Sequence, residues 1–254
     1  MSIVWETAGG IARIQLARPE KKNAITVAMY EAMGAAVLSA QEDGAVRAIV
    51  IQGQPEVFTA GNDLQDFMQG PSGGMDSPVF RFMRAMIECD KPVIAAVNGA
   101  AVGIGTTMLL HCDLVYCSEN ARFSMPFVSL GLCPEFASSL LLPAMSGYHA
   151  AAEKILLGEA FDAAEALRMG IVNRVLPAGE VDDFAMAQAD RFNGLPPNAV
   201  RTSKRLLRQG HAKGLEQRIA EEGAHFGQLM QSAEAREAFT AFFQKRKPDF
   251  SKFS

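Results

Sequence analysis

Apolar positions along the chain fall into two regimes: short continuous runs in the first half and helically spaced residues in the second. The runs Ile3 to Thr7 and Ile11 to Leu16 flank Gly9-Gly10. Paired glycines supply the positive φ of a tight turn, so this pattern predicts a hairpin. Thr26 is placed to cap a helix carrying Val27, Tyr30, Met33 and Val37 at helical spacing. Ala48 to Ile51, Val93 to Val97 and Leu114 to Cys117 are continuous rather than alternating. Such runs suit strands covered on both faces, and the gaps between them have room for helical crossovers.

Beyond about residue 145 the pattern changes. Asp162-Ala163-Ala164-Glu165 has capping-box spacing, predicting a short helix that stops at Gly170. Val172 to Leu176 reads as one more strand. From Val181 onward nearly everything reads as helix, with breaks predicted at Pro196-Pro197 and around Gly210 to Gly214. The expected organisation is an α/β core over residues 1–195 and a helical region over 196–254, without an internal repeat. Gly70-Pro71-Ser72-Gly73-Gly74 reads as a mobile surface loop.

The 254 residues, 49% hydrophobic and 20% charged, exclude disordered and collagen-like classes. A chain of this length forms one large or two small domains and needs no disulfide or metal to hold its core. Lys and Arg total 24 against 28 Asp and Glu, a net charge of −4, which argues against a general nucleic-acid binder. Arg201, Lys204, Arg205, Arg208, Lys213 and Arg218 nevertheless cluster in the helical tail. They read first as a solvated helix face, with a contact for phosphate groups as the alternative. Cys89, Cys112, Cys117 and Cys133 form no C-x-x-C pair and sit in apolar settings, which predicts buried thiols. The start of the chain lacks a basic segment followed by an apolar one, so no signal peptide is read there. Pro92 to Leu110 comes nearest to a membrane span but is broken by Asn98, Gly99, Gly103, Gly105 and Thr106-Thr107. The final Lys252-Phe253-Ser254 is not a peroxisomal signal. A soluble, cytoplasmic protein is expected.

Two glycine-bearing corners carry the candidate chemistry. Phe58-Thr59-Ala60-Gly61-Asn62-Asp63-Leu64 and the stretch Asn98 to Thr107 each follow a strand and open a helix. Gly103-Ile104-Gly105 is too short for a phosphate loop, and a dinucleotide fingerprint would need glycine where Met108 stands. Either corner alone suits an ordinary strand-to-helix turn. Such corners can also aim backbone N–H groups at one point and stabilise a developing oxyanion. Glycines on both sides of Ile104 remove Cβ atoms that would hold a ligand away from the backbone.

With Arg18-Pro19-Glu20-Lys21-Lys22-Asn23-Ala24-Ile25, the two corners, Cys112-Asp113-Leu114-Val115, Ala164 to Pro177 and Lys245-Arg246-Lys247-Pro248 in order, the chain resembles a known family. This is the crotonase, or enoyl-CoA hydratase/isomerase, superfamily, and the resemblance runs over nearly the whole length. It implies an α/β fold with a crotonase-like ββα spiral core and a C-terminal helical trimerisation region, assembled as a homotrimer or hexamer. It also implies an oxyanion hole made by the N–H groups of Asn62 and Ile104 around the thioester carbonyl of an acyl-CoA. Glycine is commoner in the family at the second position, but a backbone donor survives the change to isoleucine. By the same resemblance Lys22, Asn23, Ala24, Ala60, Asp63 and Leu64 line the adenine and pantetheine path. Phe127 and Phe136 form the acyl pocket, with ordinary core packing as their alternative role. Lys245 or Lys247 of a neighbouring subunit would meet the phosphates. No metal or redox cofactor is required, since coenzyme A enters as part of the substrate.

Hydratases of this family use two glutamates, and at the matching positions this chain has Thr107 and, after Pro126, Phe127. A threonine cannot act as a general base near neutral pH. Between Val93 and Leu142 the carboxylates are Asp113, Glu119 and Glu135. Asp113 starts a strand, Glu119 lies in a polar turn, and Glu135 sits in an apolar segment. Pro134-Glu135-Phe136-Ala137-Ser138-Ser139 resembles the Δ3,Δ2-enoyl-CoA isomerase branch, in which a glutamate in this context is the base. Glu135 equally suits a helix first turn with Pro134 at its first position, and apolar surroundings and a helix end push its pKa in opposite directions. The resemblance implies an isomerase converting 3-enoyl-CoA to 2-trans-enoyl-CoA, with Glu135 moving a proton from C2 to C4. Alternatives are hydration with Glu135 as sole carboxylate, another crotonase-type reaction, or a non-catalytic acyl-CoA- or RNA-binding scaffold.

Overall fold

A computed structural model describes residues 2–69, 74 and 76–253. Gly70 to Gly73 of the expected surface loop lie outside the described residues. The chain opens with the predicted hairpin, β1 (Ile3–Ala8) against β2 (Ile11–Leu16), turned by Gly9 and Gly10 at φ 55° and 78°. Thr26 caps α1 (Val27–Glu42), its side chain accepting from the Met29 N–H. Three circuits of strand, strand and helix follow. The first is β3 (Ala48–Gln52) and β4 (Val57–Thr59) with α2 (Leu64–Gln69) and α3 (Pro78–Glu88). The second is β5 (Val93–Val97), β6 (Ala100–Val102) and the single-turn α4 (Ile104–Thr107). The third is β7 (Leu114–Ser118) and β8 (Arg122–Ser124) with α5 (Ser138–Ser146) and α6 (Tyr148–Leu157). The chain continues through β9 (Phe161–Asp162), α7 (Ala163–Arg168), β10 (Arg174–Leu176) and α8 (Val181–Asp190). It ends in α9 (Pro197–Met230) and α10 (Ala233–Phe243).

The first strand of each circuit joins a six-stranded sheet, ordered β1-β2-β3-β5-β7-β10, and the second joins a four-stranded sheet, ordered β4-β6-β8-β9. The backbone therefore winds as a spiral of ββα turns, the architecture that the sequence resemblance implies. Continuous apolar runs have the expected consequence: every residue of β3 and β5 is buried. Ile49, Ile51, Val93, Ala95 and Val97 share a core with Phe58, Ala101 and Phe123 of the small sheet. Ala48, Val50, Ile94 and Ala96 pack instead under Val181, Ala185 and Ala189 of α8. Each large aliphatic side chain so buried contributes roughly 1.5–3 kcal/mol. Two or three residues per strand give no periodic signal, and for that reason the small sheet escapes a reading by pattern.

The predicted break around Gly210 to Gly214 is absent, because α9 runs unbroken from Pro197 to Met230. A helical glycine costs about 1 kcal/mol against alanine, which tertiary packing of the same helix offsets. Leu215 and Ile219 are buried, and a Cβ on Gly223 would stand 2.6 Å from the Phe80 ring. The tail's basic cluster is likewise not one uniformly solvated face. Lys204 is 6% exposed, pairs with Asp113 at 2.6 Å and donates to the Lys91 carbonyl. Arg208 reaches Asp113 at 3.5 Å and donates to the His111 carbonyl. Arg201 lies 3.6 Å from Asp90 and Arg218 lies 3.4 Å from Glu221, while Arg205 is exposed. The Lys213 side chain falls outside the described part. Lys204 and Arg208 clamp α9 to Asp113 at the start of β7. Cys89 and Cys117 are buried as predicted, but Cys112 and Cys133 are only half-buried, and all four are free thiols. No helix among the described residues is long and apolar enough to cross a membrane.

Lys204→Ala removes the nearer cation of this clamp and leaves Asp113 with Arg208 at 3.5 Å and the Val93 N–H, so it is expected to lower the unfolding free energy in urea by about 2 kcal/mol. A loss of roughly 1 kcal/mol or less, as for an exposed pair, would show that the clamp does not anchor α9.

Candidate active site

Both corners are built from the strands upward. At the first, β4 ends at Thr59, and Asn23 braces it from the preceding loop. The Asn23 side chain is fully buried, accepts from the Arg18 N–H at 2.8 Å and donates to the Val57 and Phe58 carbonyls. Arg18 pairs with Asp63 at 2.8 Å, and Asp63 Oδ1 accepts from the Gln65 and Asp66 N–H groups at the start of α2. Gly61, at φ 86°, accepts from the Ile25 N–H through its carbonyl at 2.8 Å. The next residue, Asn62, accepts from the Tyr30 hydroxyl at 2.5 Å through Oδ1. Its own N–H has no protein acceptor among the described residues.

At the second corner, β6 runs into Gly103, which caps α4 at φ 56° and donates its N–H to the Ser124 carbonyl. The Ile104 side chain is buried, while its N–H also lacks a protein acceptor among the described residues. Parallel pairing of β4 with β6 sets the two corners side by side. A Cβ on Gly61 would stand 2.8 Å from the Val102 carbonyl oxygen, and one on Gly105 would stand 2.5 Å from Thr59 Cγ2.

Glu135 joins this group through Thr107, the last residue of α4, whose hydroxyl donates to Glu135 Oε1. Glu135 is 8% exposed. Burial pushes its pKa up to about 8, the Thr107 bond working against the rise and the nearby Glu222 charge adding to it. The sign left open by sequence is thus upward. Pro134 is not the first residue of a helix: α5 begins at Ser138 after Phe136 and Ala137, both left-handed at φ 57° and 56°. Dipole stabilisation of a first-turn acid therefore does not apply to Glu135. His111 Nε2 lies 2.7 Å from the Phe136 carbonyl, which can only accept, so this nitrogen carries the hydrogen. Burial drops the His111 pKa to about 3, and the ring stays neutral. Tyr30 is buried as well, its pKa raised by burial and then by the Glu135 charge.

The structure therefore brings Asn62, Ile104 and Glu135 together. Lys22 is exposed beside the first corner, its carbonyl accepting from the Ala60 N–H at 2.9 Å. Ala24, Ala60, Asp63 and Leu64 are half-buried around it. Phe127 lies against the second corner, its ring 4.0 Å from where a Gly103 Cβ would be. Two expected contacts move inward. The Asn23 side chain is spent on backbone bonds, and Phe136 is 1% exposed, stacked on His111 with centroids 3.7 Å apart. Both are structural because their polar or aromatic surface is already covered. Lys245 and Lys247 are exposed near the end of the chain. Reasoning from sequence missed Tyr30 and Glu222. Tyr30 reads as an ordinary apolar position of α1, and nothing in its spacing marks its hydroxyl. Glu222 sits among charged neighbours in α9, where only burial distinguishes it.

A raised carboxyl pKa has a consequence for stability. Between the ordinary glutamate value of 4.5 and about 8 the native state holds a proton that the unfolded chain has lost. Stability contributed by the protonated group is therefore lost as pH rises through that window. Glu135→Gln cannot ionise, so its melting temperature is expected to exceed that of the wild type increasingly from pH 5 to pH 8. Parallel melting curves across that range would show that Glu135 carries no such penalty.

A family model described as enoyl-CoA hydratase/isomerase matches residues 6–252. The chain is 38% identical over 220 residues to enoyl-CoA delta isomerase 2 of Rattus norvegicus, covering 84% of this chain and 56% of that protein. It thus spans little more than half the length of that relative. It is 32% identical over 253 residues to the short-chain-enoyl-CoA hydratase of Clostridium acetobutylicum, covering 97% and 96% of the two chains. The solved structure of Pseudomonas aeruginosa OdaA superposes with a TM-score of 0.93 at 50% identity, covering 95% of this chain and 98% of that one. Isomerase and hydratase names thus occur side by side at similar identity. Full-length match, spiral architecture and paired corners agree that this chain belongs to the enoyl-CoA hydratase/isomerase family.

Proposed function

We propose that the chain is a Δ3,Δ2-enoyl-CoA isomerase, acting on an acyl-CoA thioester with coenzyme A as part of the substrate. One observation carries the reading: the carboxyl hydrogen-bonded into the corner is Glu135, and Thr107, where the family's hydratases have a second glutamate, serves it as a donor. Hydration needs water activated at C3 and a proton delivered to C2. Double-bond migration needs one group that takes a proton and returns it. Glu135 removes a C2 proton, and the electron pair shifts through the thioester to give a dienolate whose oxygen accepts from the Asn62 and Ile104 N–H groups. The same carboxyl then returns the proton to C4, the double bond settles between C2 and C3, and Glu135 is regenerated. A pKa of about 8 suits this cycle, because a base works best near the operating pH. Each oxyanion donor is worth about 3 kcal/mol of transition-state stabilisation.

Lys22, Ala24, Ala60, Asp63 and Leu64 would flank the coenzyme A path, with Phe127 at the acyl end. In this reading residues 196–254 form the assembly region of a homotrimer or hexamer, and Lys245 or Lys247 of a neighbour meets the phosphates. The protein acts in the cytoplasm. The curated isomerase relative at 38% identity supports the reaction, and the hydratase relative favours the competing one.

Purified protein given a 3-enoyl-CoA is expected to form the 2-trans isomer, and Glu135→Gln to lose about 10³-fold in kcat with folding intact. Rapid formation of 3-hydroxyacyl-CoA from a 2-enoyl-CoA would instead make it a hydratase. No turnover of either substrate, with salt-dependent RNA binding, would make it a scaffold.

A further inference from the structure

The loop bearing Glu135 is held in a conformation its own sequence disfavours. Phe136 and Ala137 stand consecutively in the left-handed region, at φ 57° and 56°, and neither is glycine. Non-glycine residues persist there only where their surroundings over-determine them. Two side chains from elsewhere do so. His111 Nε2–H donates to the Phe136 carbonyl at 2.7 Å from one element. Glu222, on α9, reaches over from the tail and accepts from the Ala137 N–H at 2.6 Å, the Ser139 N–H at 3.0 Å and the Ser139 hydroxyl. Those N–H groups sit at the entry to α5, so Glu222 supplies the cap that Ala137 cannot. It is 6% exposed, an unusual place for a carboxylate on a polar helix.

We infer that Glu222 is a positioning residue for Glu135: its carboxylate pins the Phe136–Ala137 turn and thereby sets the direction in which the Glu135 carboxyl meets Thr107 and the two corners. The inference rests on the reading of Glu135 as the acid/base. Electrostatics act in the same direction, since the Glu222 charge contributes to the rise in the Glu135 pKa. Charged and titratable groups around Glu222 are Arg218, Glu221 and His225 of its own helix and Cys133 and Glu135 of the facing loop. Around Glu135 they are Tyr30, Cys133 and Glu222. With the others unchanged, loss of the Glu222 charge leaves Glu135 easier to ionise.

Glu222→Gln and Glu222→Ala test this through the pH profile of 3-enoyl-CoA isomerisation. On the plateau above the Glu135 limb, kcat is expected to fall, by about 10²-fold for alanine, with KM nearly unchanged. In the glutamine variant the limb itself moves to lower pH. A residue that only stabilises the fold would lower the melting temperature without moving the limb or the plateau, and that result overturns the inference. Should the Glu222 variants fail to fold, Ser139→Ala removes one donor and leaves both carboxyls in place. A fall in its kcat at constant KM supports the positioning role, and wild-type kcat overturns it. Glu135→Gln, assayed alongside, separates the two levels. An inactive Glu135→Gln with unaffected Glu222 variants sinks the positioning role alone, whereas a fully active Glu135→Gln sinks the acid/base reading and this inference with it.

Discussion

Neighbouring atoms come this close to a backbone only where a side chain is missing, and the site depends on two such approaches. Gly61 leaves room for the Val102 carbonyl, and Gly105 leaves room for the Thr59 side chain. Together they lock the end of one parallel strand to the end of its neighbour. That lock sets Asn62 and Ile104 just beyond adjacent strand ends. An unpaired amide in a buried setting costs about 1–3 kcal/mol. Two of them at adjacent strand ends are a reserve of donors, kept in place by the strand pairing around them.

Everything else at the site is referred to those corners. α4 starts at Ile104 and lasts one turn, so the corner that fixes the second donor also fixes the Thr107 hydroxyl. Thr107 fixes Glu135. From the other side, Tyr30 spans from α1 to the Asn62 side chain. Corners and carboxyl thus belong to one bonded network, in which a displacement of either corner is felt at Glu135. Burying Glu135 works against stability wherever the group ionises.

What was legible in the sequence followed the length of each signal. Apolar runs of four and five residues located β3 and β5, and the caps at Thr26 and Asp162 located α1 and α7, because each is a local rule with a local cause. The four strands of the small sheet, at two or three residues each, are held by pairing with distant segments rather than by their own pattern. Continuity of α9 across Gly210 and Gly214 was hidden for the same reason, since glycine propensity is local and the packing that overrides it is not. Among the site residues, the glycine corners and the apolar setting of Glu135 could be read directly. The bonding of Asn23, the inward turn of Phe136 and the burial of Lys204 and Glu222 could not, because burial of a polar side chain is decided by what folds over it.

The chemistry expected of the site follows from what faces Glu135. A second carboxyl at position 107 would lie within hydrogen-bonding reach of the first, and two carboxyls so close share a proton and titrate as a pair. Thr107 places a neutral donor there instead. A hydroxyl can bond to Glu135 whether or not the carboxyl is ionised, donating to one form and able to accept from the other. Glu135 can therefore gain and lose a proton without losing its neighbour or changing its place. In the proposed isomerisation, a group that takes a proton at one carbon and returns it at another needs that constancy, because the intermediate would last only while the two N–H groups and the protonated carboxyl hold their positions together.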